Sequence, residues 1–256
     1  MSSRRDVLFL LLGGFFLTNA ILGEVIGGKL FFLGNPEFQL DLGWFTFGPF
    51  VMSVGVIPWP VVFLTTDLVN EYYGTRGVRR LTFLGIGMVS YVFLVLFAAL
   101  QIPATPFSPV THEAFANVFG QSMWIIVGSL TAFAVSQLTD VLVFHTFRRR
   151  TGAGMLWLRS TGSTVFSQLV DTFVILGIAF YLPGKITGEQ FISTAATQYV
   201  YKFSVAVLLT PLIYAGHSLA ERFLGRELAH ELAEQAAQES EGIRRLSAGV
   251  RSRGSA

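Results

Sequence analysis

A short polar motif occurs twice within apolar stretches of the sequence: Ser136 to Asp140 reads SQLTD, and Ser167 to Asp171 reads SQLVD. In each copy the Gln and the Asp are three residues apart, so on a helix they share one face. An amide beside an acceptor-only carboxylate suits a flat heterocycle that carries N–H donors and a carbonyl. The motifs therefore predict four ligand-binding residues, which are Gln137, Asp140, Gln168 and Asp171.

Six more residues in apolar stretches complete the predicted binding site: Asn19, Asp67, Asn70, Glu71, Tyr199 and Lys202. At 1.5 Å per helical residue, Asp67, Asp140 and Gln168 lie roughly 12 to 13 Å from the flanking arginines. The same arithmetic puts Asp171 at roughly 18 Å and Lys202 at roughly 22 Å, and a lysine in hydrocarbon requires a carboxylate. We therefore expect an Asp171–Lys202 pair, which either only joins two helices or opens for a substrate or a proton.

The distance along each helix from the flanking arginines also distinguishes the remaining polar residues inside the hydrocarbon from those near its edges. Asn19 lies roughly 21 Å along the first helix from Arg5, inside the hydrocarbon, whereas Glu24 at roughly 28 Å is expected near the far interface. Glu71 is only about 7 Å from Arg76, so pairing with a loop arginine is an alternative to substrate binding. Tyr199 offers an aromatic ring for stacking.

The composition indicates the environment of these residues. Of 256 residues, 52% are hydrophobic and 13% are charged, against roughly 25% charged in a soluble domain. The apolar stretches predict an all-α integral membrane protein in contact with the lipid bilayer. The arginines cluster in short loops, which reports membrane topology rather than nucleic-acid binding. The chain has no cysteine, and nothing in it requires a metal or a cofactor.

The apolar stretches predict six transmembrane helices, at about residues 7–33, 57–74, 78–102, 119–147, 157–182 and 194–217. Residues 35–57 are rich in Gly and Pro and predict an outer hairpin or a re-entrant segment between the first two helices. The distribution of Lys and Arg predicts that both termini lie in the cytoplasm. We expect residues 1–220 to form a single six-helix transmembrane domain and residues 221–256 to form a cytoplasmic tail, first helical and then disordered.

We expect helix packing to place the polar residues of the two motifs close together. The helices that carry the two motif copies are consecutive and antiparallel, which resembles an inverted repeat, and such interfaces often hold a transport site near the membrane midplane. Gly23 and Gly27 are spaced as a small-residue pair, which leaves open a homodimer contact or packing within the chain.

Several segments resemble one family in order along the chain. Residues 63–74 read FLTTDLVNEYYG, residues 136–145 read SQLTDVLVFH, residues 156–164 read LWLRSTGST, and residues 201–203 read YKF. This series is similar to the queuosine precursor transporters, also called the vitamin uptake transporter family, and the resemblance extends over roughly residues 19–214. It implies import of 7-cyano-7-deazaguanine or 7-aminomethyl-7-deazaguanine for making queuosine in transfer RNA.

The residues alone leave two other classes of protein open. One is a substrate-capture subunit that depends on a separate ATPase, because the chain contains no P-loop. The other is an intramembrane enzyme, but no protease signature and no Ser/His dyad accompany the aspartates, so we expect no enzymatic activity. Proton-coupled transport and facilitated diffusion both agree with the four acids of the site.

Overall fold

The computed structural model describes residues 3–41, 43, 46–49, 51–120, 123–151 and 155–238, which are mainly helical. The helices of these ranges are α1 Arg4–Val25, α2 Trp59–Leu100, α3 His112–Phe119, α4 Met123–Thr151, α5 Leu156–Leu176, α6 Gly188–Leu208, α7 Thr210–Leu224 and α8 at residues 226–238. Four of the described helical stretches are long and apolar enough to cross a membrane, or five if the bent pair α6 and α7 is one span. The chain is therefore a multi-pass helical membrane protein, as its composition predicts.

The first helix is shorter than predicted. α1 ends at Val25 rather than near Leu33, and the glycines that follow it are poor helix formers. A Cβ added to Gly55 would collide with the carbonyl oxygen of Gly23 and would lie 3.1 Å from Cα of Gly27. Gly23 at the end of α1 and Gly27 in the turn after it thus pack against Gly55 within the chain.

The segment between α1 and α2 is a nested hairpin. Its strands are β1 Leu30–Phe32, β2 Leu40–Asp41, β3 Thr46–Phe47 and β4 Val51–Ser53, and β1 pairs with β4 while β2 pairs with β3, both antiparallel. The predicted hairpin is therefore present, although residues 42, 44, 45 and 50 lie outside the described residues. The amide of Gly48 donates to Thr197 Oγ1 of α6 at 3.2 Å. We call this part of the molecule the hairpin end.

α2 turns back on itself at Gly74, which has φ 63° and ψ −165°. A Cβ on Gly77 would lie 3.2 Å from the side chain of Val69, whereas a straight helix would separate these residues by about 12 Å. The interval between the helices predicted at residues 57–74 and 78–102 is helical rather than a loop, because a single glycine makes the turn and arginine is a good helix former. We call residues 59–73 the first arm of α2 and residues 75–100 its second arm.

After α2, the short helix α3 at His112–Phe119 was not predicted, and the last predicted helix differs from the structure in two ways. α4 and α5 pack along each other, as expected for the helices that carry the two motifs. The helix predicted at residues 194–217 begins earlier, at Gly188, and bends by 43° between α6 and α7. Pro211 lies in the first turn of α7 and lacks the N–H that an unbroken helix would use.

α8 packs on the end of the bundle opposite the hairpin. It buries Ala229, Leu232 and Ala236, and a Cβ on Gly74 would lie 3.3 Å from the carbonyl oxygen of Ala236. α1 begins at the same end, where the Tyr73 hydroxyl donates to the carbonyl of Arg5 at 2.6 Å. We call it the basic end. The helical part of the predicted tail is therefore packed against the bundle, and residues 239–256 lie outside the described residues.

Candidate functional site

A cavity of about 630 Å³ lies between α1, the first arm of α2, α4, α5 and α6. Its volume falls within the range of about 300 to 1,000 Å³ that is usual for small-molecule sites. The cavity borders the hairpin end through Met52 and Ser53. Three of the ten predicted binding residues line it, namely Gln168, Asp171 and Lys202.

The ion pair expected from depth is present on one wall of this cavity. Lys202 Nζ of α6 lies 2.7 Å from Asp171 Oδ2 of α5. The two side chains are 18% and 17% exposed, so the pair faces the open space rather than a packed core. Gln168 precedes Asp171 by one helical turn and shares its face. This wall presents an amide, a carboxylate and an ammonium group side by side.

The cavity also contains a carboxylate that depth alone assigned to the far interface. Glu24 lines the cavity from α1 and accepts a hydrogen bond from the buried hydroxyl of Ser129 on α4. The depth of Glu24 near the end of α1 agrees with its position toward the hairpin end; what the sequence analysis missed is that the cavity reaches that end and includes Glu24 in its lining. The sequence signal was present, since Glu24 interrupts an apolar run.

Aromatic side chains form part of the lining. The rings of Trp59 and Phe63 on the first arm of α2 have centroids 5.8 Å apart with an angle of 29° between their planes. Tyr201 lines the cavity beside Lys202, whereas the predicted Tyr199 does not belong to the described lining. Residues two apart on a helix point in different directions, which separates Tyr199 from the cavity-facing side of α6.

A second group of polar residues lies toward the basic end, and we call it the buried cluster. It joins the first arm of α2 to α4 and α5, and it consists of Asp67, Asn70, Glu71, Asp140, Arg148, Arg159, Ser160 and Ser167. All eight residues are at most 9% exposed. Four predicted binding residues therefore belong to a packed interface.

Glu71 is the central acid of the buried cluster. Its Oε1 lies 2.8 Å from Arg159 Nη2 and 3.6 Å from Arg148 Nη2. Arg148 also donates to the backbone carbonyls of Asn70 and Glu71, and at 2.6 Å to that of Ala233 in α8. Glu71 therefore pairs with arginines, as the alternative to substrate binding predicted. Its partners are Arg148 and Arg159 rather than Arg76.

The two aspartates of the buried cluster, Asp67 and Asp140, accept hydrogen bonds from neutral groups. The Ser160 hydroxyl donates to Asp67, and the Asn70 amide lies 3.4 Å from Asp140 Oδ2. Ser167 Oγ lies 3.4 Å from Asp140 Oδ1, so the serine of the second motif meets the aspartate of the first. This contact is the antiparallel approach of the two motifs that the sequence predicts.

Asp67 also borders a space of about 70 Å³ between the first arm of α2, α5 and α7. This volume is well below the range of about 300 to 1,000 Å³ for small-molecule sites, although it suffices for water. The remaining predicted residues lie elsewhere: Gln137 is 5% exposed in α4, and the Asn19 amide donates to the carbonyl of Phe15 in its own helix. Neither belongs to the described lining of the larger cavity.

No group of three or more His, Asp or Glu side chains among the described residues is arranged to hold a metal ion. What the cavity offers instead is hydrogen bonding and charge. It combines two carboxylates, an ammonium, amides and aromatic rings in one space. Hydrogen-bonding groups and flat rings in one lining suit an aromatic molecule with several N–H groups.

Comparison with known proteins gives one family and several relatives. The model of a family described as "Putative vitamin uptake transporter" matches residues 53–216. A "Probable queuosine precursor transporter" of Bacillus subtilis (strain 168) is 34% identical over 171 residues, which cover 65% of this chain and 72% of the relative. A protein with the same description from Haemophilus influenzae is 31% identical over 160 residues, which cover 60% of this chain and 63% of the relative.

A third relative, the "Queuosine precursor transporter" of Escherichia coli (strain K12), is 29% identical over 158 residues, which cover 60% of this chain and 67% of the relative. All three relatives are named as transporters rather than as enzymes. No solved structure matches the chain.

Proposed function

We propose that this chain, which belongs to the vitamin uptake transporter family, imports queuosine precursors across a bacterial cytoplasmic membrane. Its relatives at 29%, 31% and 34% identity are named for that activity. The observation that carries the proposal for this chain is the cavity of about 630 Å³, in which Gln168, Asp171 and Lys202 share one wall. The volume suits a small base, and the wall suits its polar edge.

The chemistry of a 7-deazaguanine base fits this lining. The pyrimidine ring of the base has N–H donors for Asp171 and a carbonyl that accepts from the Gln168 amide or from Lys202. Its flat ring stacks against the aromatic pair of Trp59 and Phe63. Binding then competes with the Asp171–Lys202 ion pair, which opens when the substrate takes over one of its partners.

The topology that we propose has six membrane passes with both termini in the cytoplasm. The helical stretch Val54–Leu100 has 47 residues, roughly 70 Å at 1.5 Å per residue, which is more than twice a hydrocarbon core of about 30 Å. The turn at Gly74 divides it into two passes. The basic end carries Arg5 and Arg148, which favours the cytoplasmic side for this end.

The other predicted binding residues act indirectly in this proposal. Asp67, Asn70, Glu71 and Asp140 fix the first arm of α2 against α4 and α5, which positions Trp59 and Gln168 on opposite sides of the cavity. We assign similar supporting roles to Asn19, Gln137 and Tyr199, which lie on the helices around it.

Uptake in a host that cannot make the base tests the proposal. The host produces queuosine in its transfer RNA only when the precursor is supplied and the chain is expressed. Asp171→Asn and Gln168→Ala are each expected to reduce uptake at least about tenfold, because a lost hydrogen bond to a charged or buried partner weakens binding by about 1.5 kcal/mol. Glu189→Gln, at the exposed start of α6, is the matched control and leaves uptake unchanged.

Two results would contradict the proposal. One is normal uptake by both Asp171→Asn and Gln168→Ala, with membrane levels equal to those of the wild type. The other is an absence of precursor-dependent queuosine with the wild-type chain. Purified chain in liposomes separates the rival mechanism, since a substrate-capture subunit transports only after its ATPase is added.

A further inference from the structure

A small space of about 70 Å³ lies next to the cavity, between the first arm of α2, α5 and the bend from α6 to α7. Pro60 and Phe63 line both spaces, so the two share residues of the first arm of α2. The smaller volume admits a single ion or water molecule but no organic molecule. An occupant of the small space therefore contacts residues that also border the cavity.

Asp67 brings a carboxylate to the small space. It is 1% exposed, and its Oδ2 accepts a hydrogen bond from the hydroxyl of Ser160. Its Oδ1 is buried and accepts no hydrogen bond from a described residue. No basic side chain in the described ranges forms an ion pair with Asp67. A buried carboxylate without a cation is destabilising, so a cation that enters this space is bound favourably.

Other residues around the small space supply neutral oxygen atoms. Thr161 and Thr164 of α5 line it, and each carries a hydroxyl. The last turn of α6 and its C-cap line it with Ala206 and Leu209. Carbonyl groups at the C-terminal end of a helix carry a partial negative charge and lack partners within the helix, and Pro211 of α7 has no N–H to offer them. The space is thus bordered by a carboxylate, two hydroxyls and the negative end of a helix.

This set of groups favours a small monovalent metal ion. Calcium sites commonly combine several carboxylates, and transition metals prefer imidazole or thiolate ligands. Among the described residues, no three His, Asp or Glu side chains are grouped to hold a metal in that way. The end of a broken helix beside a polar side chain is, in contrast, an arrangement in which membrane transporters bind Na⁺.

We propose that Asp67, the two threonines of α5 and the end of α6 form a sodium site, and that sodium binding there is coupled to binding of the base in the cavity. The coupling rests on the proposed function, whereas the ion site rests on its own geometry. α6 is the common element, because Ala206 follows Lys202 by one helical turn and Lys202 belongs to the ion pair for which the base competes. Each ligand is therefore expected to raise the affinity for the other.

Binding of the base with and without sodium tests the coupling. The dissociation constant of 7-cyano-7-deazaguanine is measured by calorimetry with the purified full chain, once in sodium chloride and once in choline chloride at the same ionic strength and pH. The wild type is expected to bind the base at least about fivefold more tightly in sodium, which is the lower end of the usual coupling between two sites.

Variants then assign the sodium effect to the small space. Asp67→Asn keeps the size of the side chain but removes its charge, so we expect equal affinity for the base in both salts. Thr164→Val removes one hydroxyl at nearly constant volume and is expected to reduce the sodium effect by at least about twofold. Asp140→Asn is the matched control, a buried acid of the same cluster that lines neither described space, and it keeps the wild-type ratio of the two constants.

Three outcomes would overturn the inference while the proposed function stands. One is equal affinity of the wild type in both salts. Another is a sodium effect that persists in Asp67→Asn. The third is an affinity that depends on pH but not on sodium, which would assign a proton rather than a sodium ion to Asp67. If Asp67→Asn does not elute as folded protein, Thr164→Val decides, and an unchanged ratio in that variant refutes the site.

A measurement without the base separates the two proposals. Sodium that binds the folded chain raises its thermal unfolding temperature relative to choline, and Asp67→Asn or Thr164→Val is expected to diminish this shift. If the wild type binds no deazaguanine base but keeps the sodium-dependent shift, the proposed function and the coupling fail while the ion site stands. If the shift is absent from the wild type, the ion site is refuted.

Discussion

The cavity wall and the buried cluster use the same kinds of group in opposite surroundings. Asp171 and Lys202 face a space of about 630 Å³, and their side chains are 17% and 18% exposed. The side chains of Glu71 and Arg159 are 9% and 4% exposed, and a space that borders their cluster at Asp67 is only about 70 Å³. The first pair has room for a competitor, whereas the second is held by its neighbours.

Because of this difference, we expect the cavity wall to bind a ligand and the buried cluster to stabilise the arrangement of the helices. A pair that borders a cavity can exchange its partner for a ligand, because solvent or substrate replaces the lost contact. A buried pair that loses a partner leaves a charge without compensation, so it maintains one arrangement of helices. The buried cluster is joined to α8 by the hydrogen bond from Arg148 to the carbonyl of Ala233, so it belongs to the basic end of the bundle.

The largest expected effect is on the free energy of unfolding, which should fall more for a change in the buried cluster than for a change in the cavity wall. Glu71→Gln removes the acid between Arg148 and Arg159 and is expected to lower the free energy of unfolding by about 3 to 5 kcal/mol, because two buried guanidinium groups lose their carboxylate. Asp171→Asn is the matched control, with an expected loss of about 1 kcal/mol or less for a pair that water reaches. Unfolding in detergent, followed by tryptophan fluorescence, measures both, and equal losses would abolish the distinction.

The next effect tests whether the basic end is independent of the cavity. Truncation after Gly225 removes α8, with its buried Leu232 and two buried alanines, and its contact to Arg148. We expect the free energy of unfolding to fall by about 2 to 4 kcal/mol from lost burial, with ligand affinity unchanged. Truncation after Gln238 removes only residues 239–256 and is the control. A loss of affinity comparable to that of Asp171→Asn would connect α8 to the binding site.

Depth along a helix explains which parts of the site could be predicted. The arithmetic that placed Asp171 and Lys202 at similar levels gave a correct pair, because both residues also face the same space. It placed Asp67 and Asp140 in the same layer, but it carries no information on the direction in which a helix presents a residue. The first arm of α2 presents Asp67 to α5 rather than to the cavity, and only the packing of helices determines this.

The fold was predictable where local chemistry decides it. Apolar length gives the helices, and the glycines and prolines after α1 give the hairpin. The bend between α6 and α7 is explained by Pro211. This proline is visible in the sequence, but it lies within a long apolar run that was predicted as one continuous helix. The position of Glu24 required the contact of Gly23 with Gly55, a long-range approach that no local pattern specifies.

The smallest expected effect compares the two copies of the repeated motif. Gln168 and its counterpart in α4, Gln137, are both 5% exposed, but Gln168 belongs to the described lining of the cavity and Gln137 does not. Gln168→Ala is expected to weaken ligand binding about tenfold, because the base loses one hydrogen bond. Gln137→Ala is expected to act mainly on the free energy of unfolding, with a loss of about 1 kcal/mol and a smaller change in affinity.

Both variants are measured by calorimetry with the deazaguanine base and by unfolding in detergent. Each variant then has one value for the change in affinity and one for the change in the free energy of unfolding. The two variants make the same chemical change on consecutive antiparallel helices, so the nature of the side chain cannot account for a difference between them. A larger loss of affinity in Gln168→Ala follows from its position in the lining of the cavity. Equal losses of affinity would mean that the two motifs act as one site, and that the ligand reaches α4 between the cavity and the buried cluster.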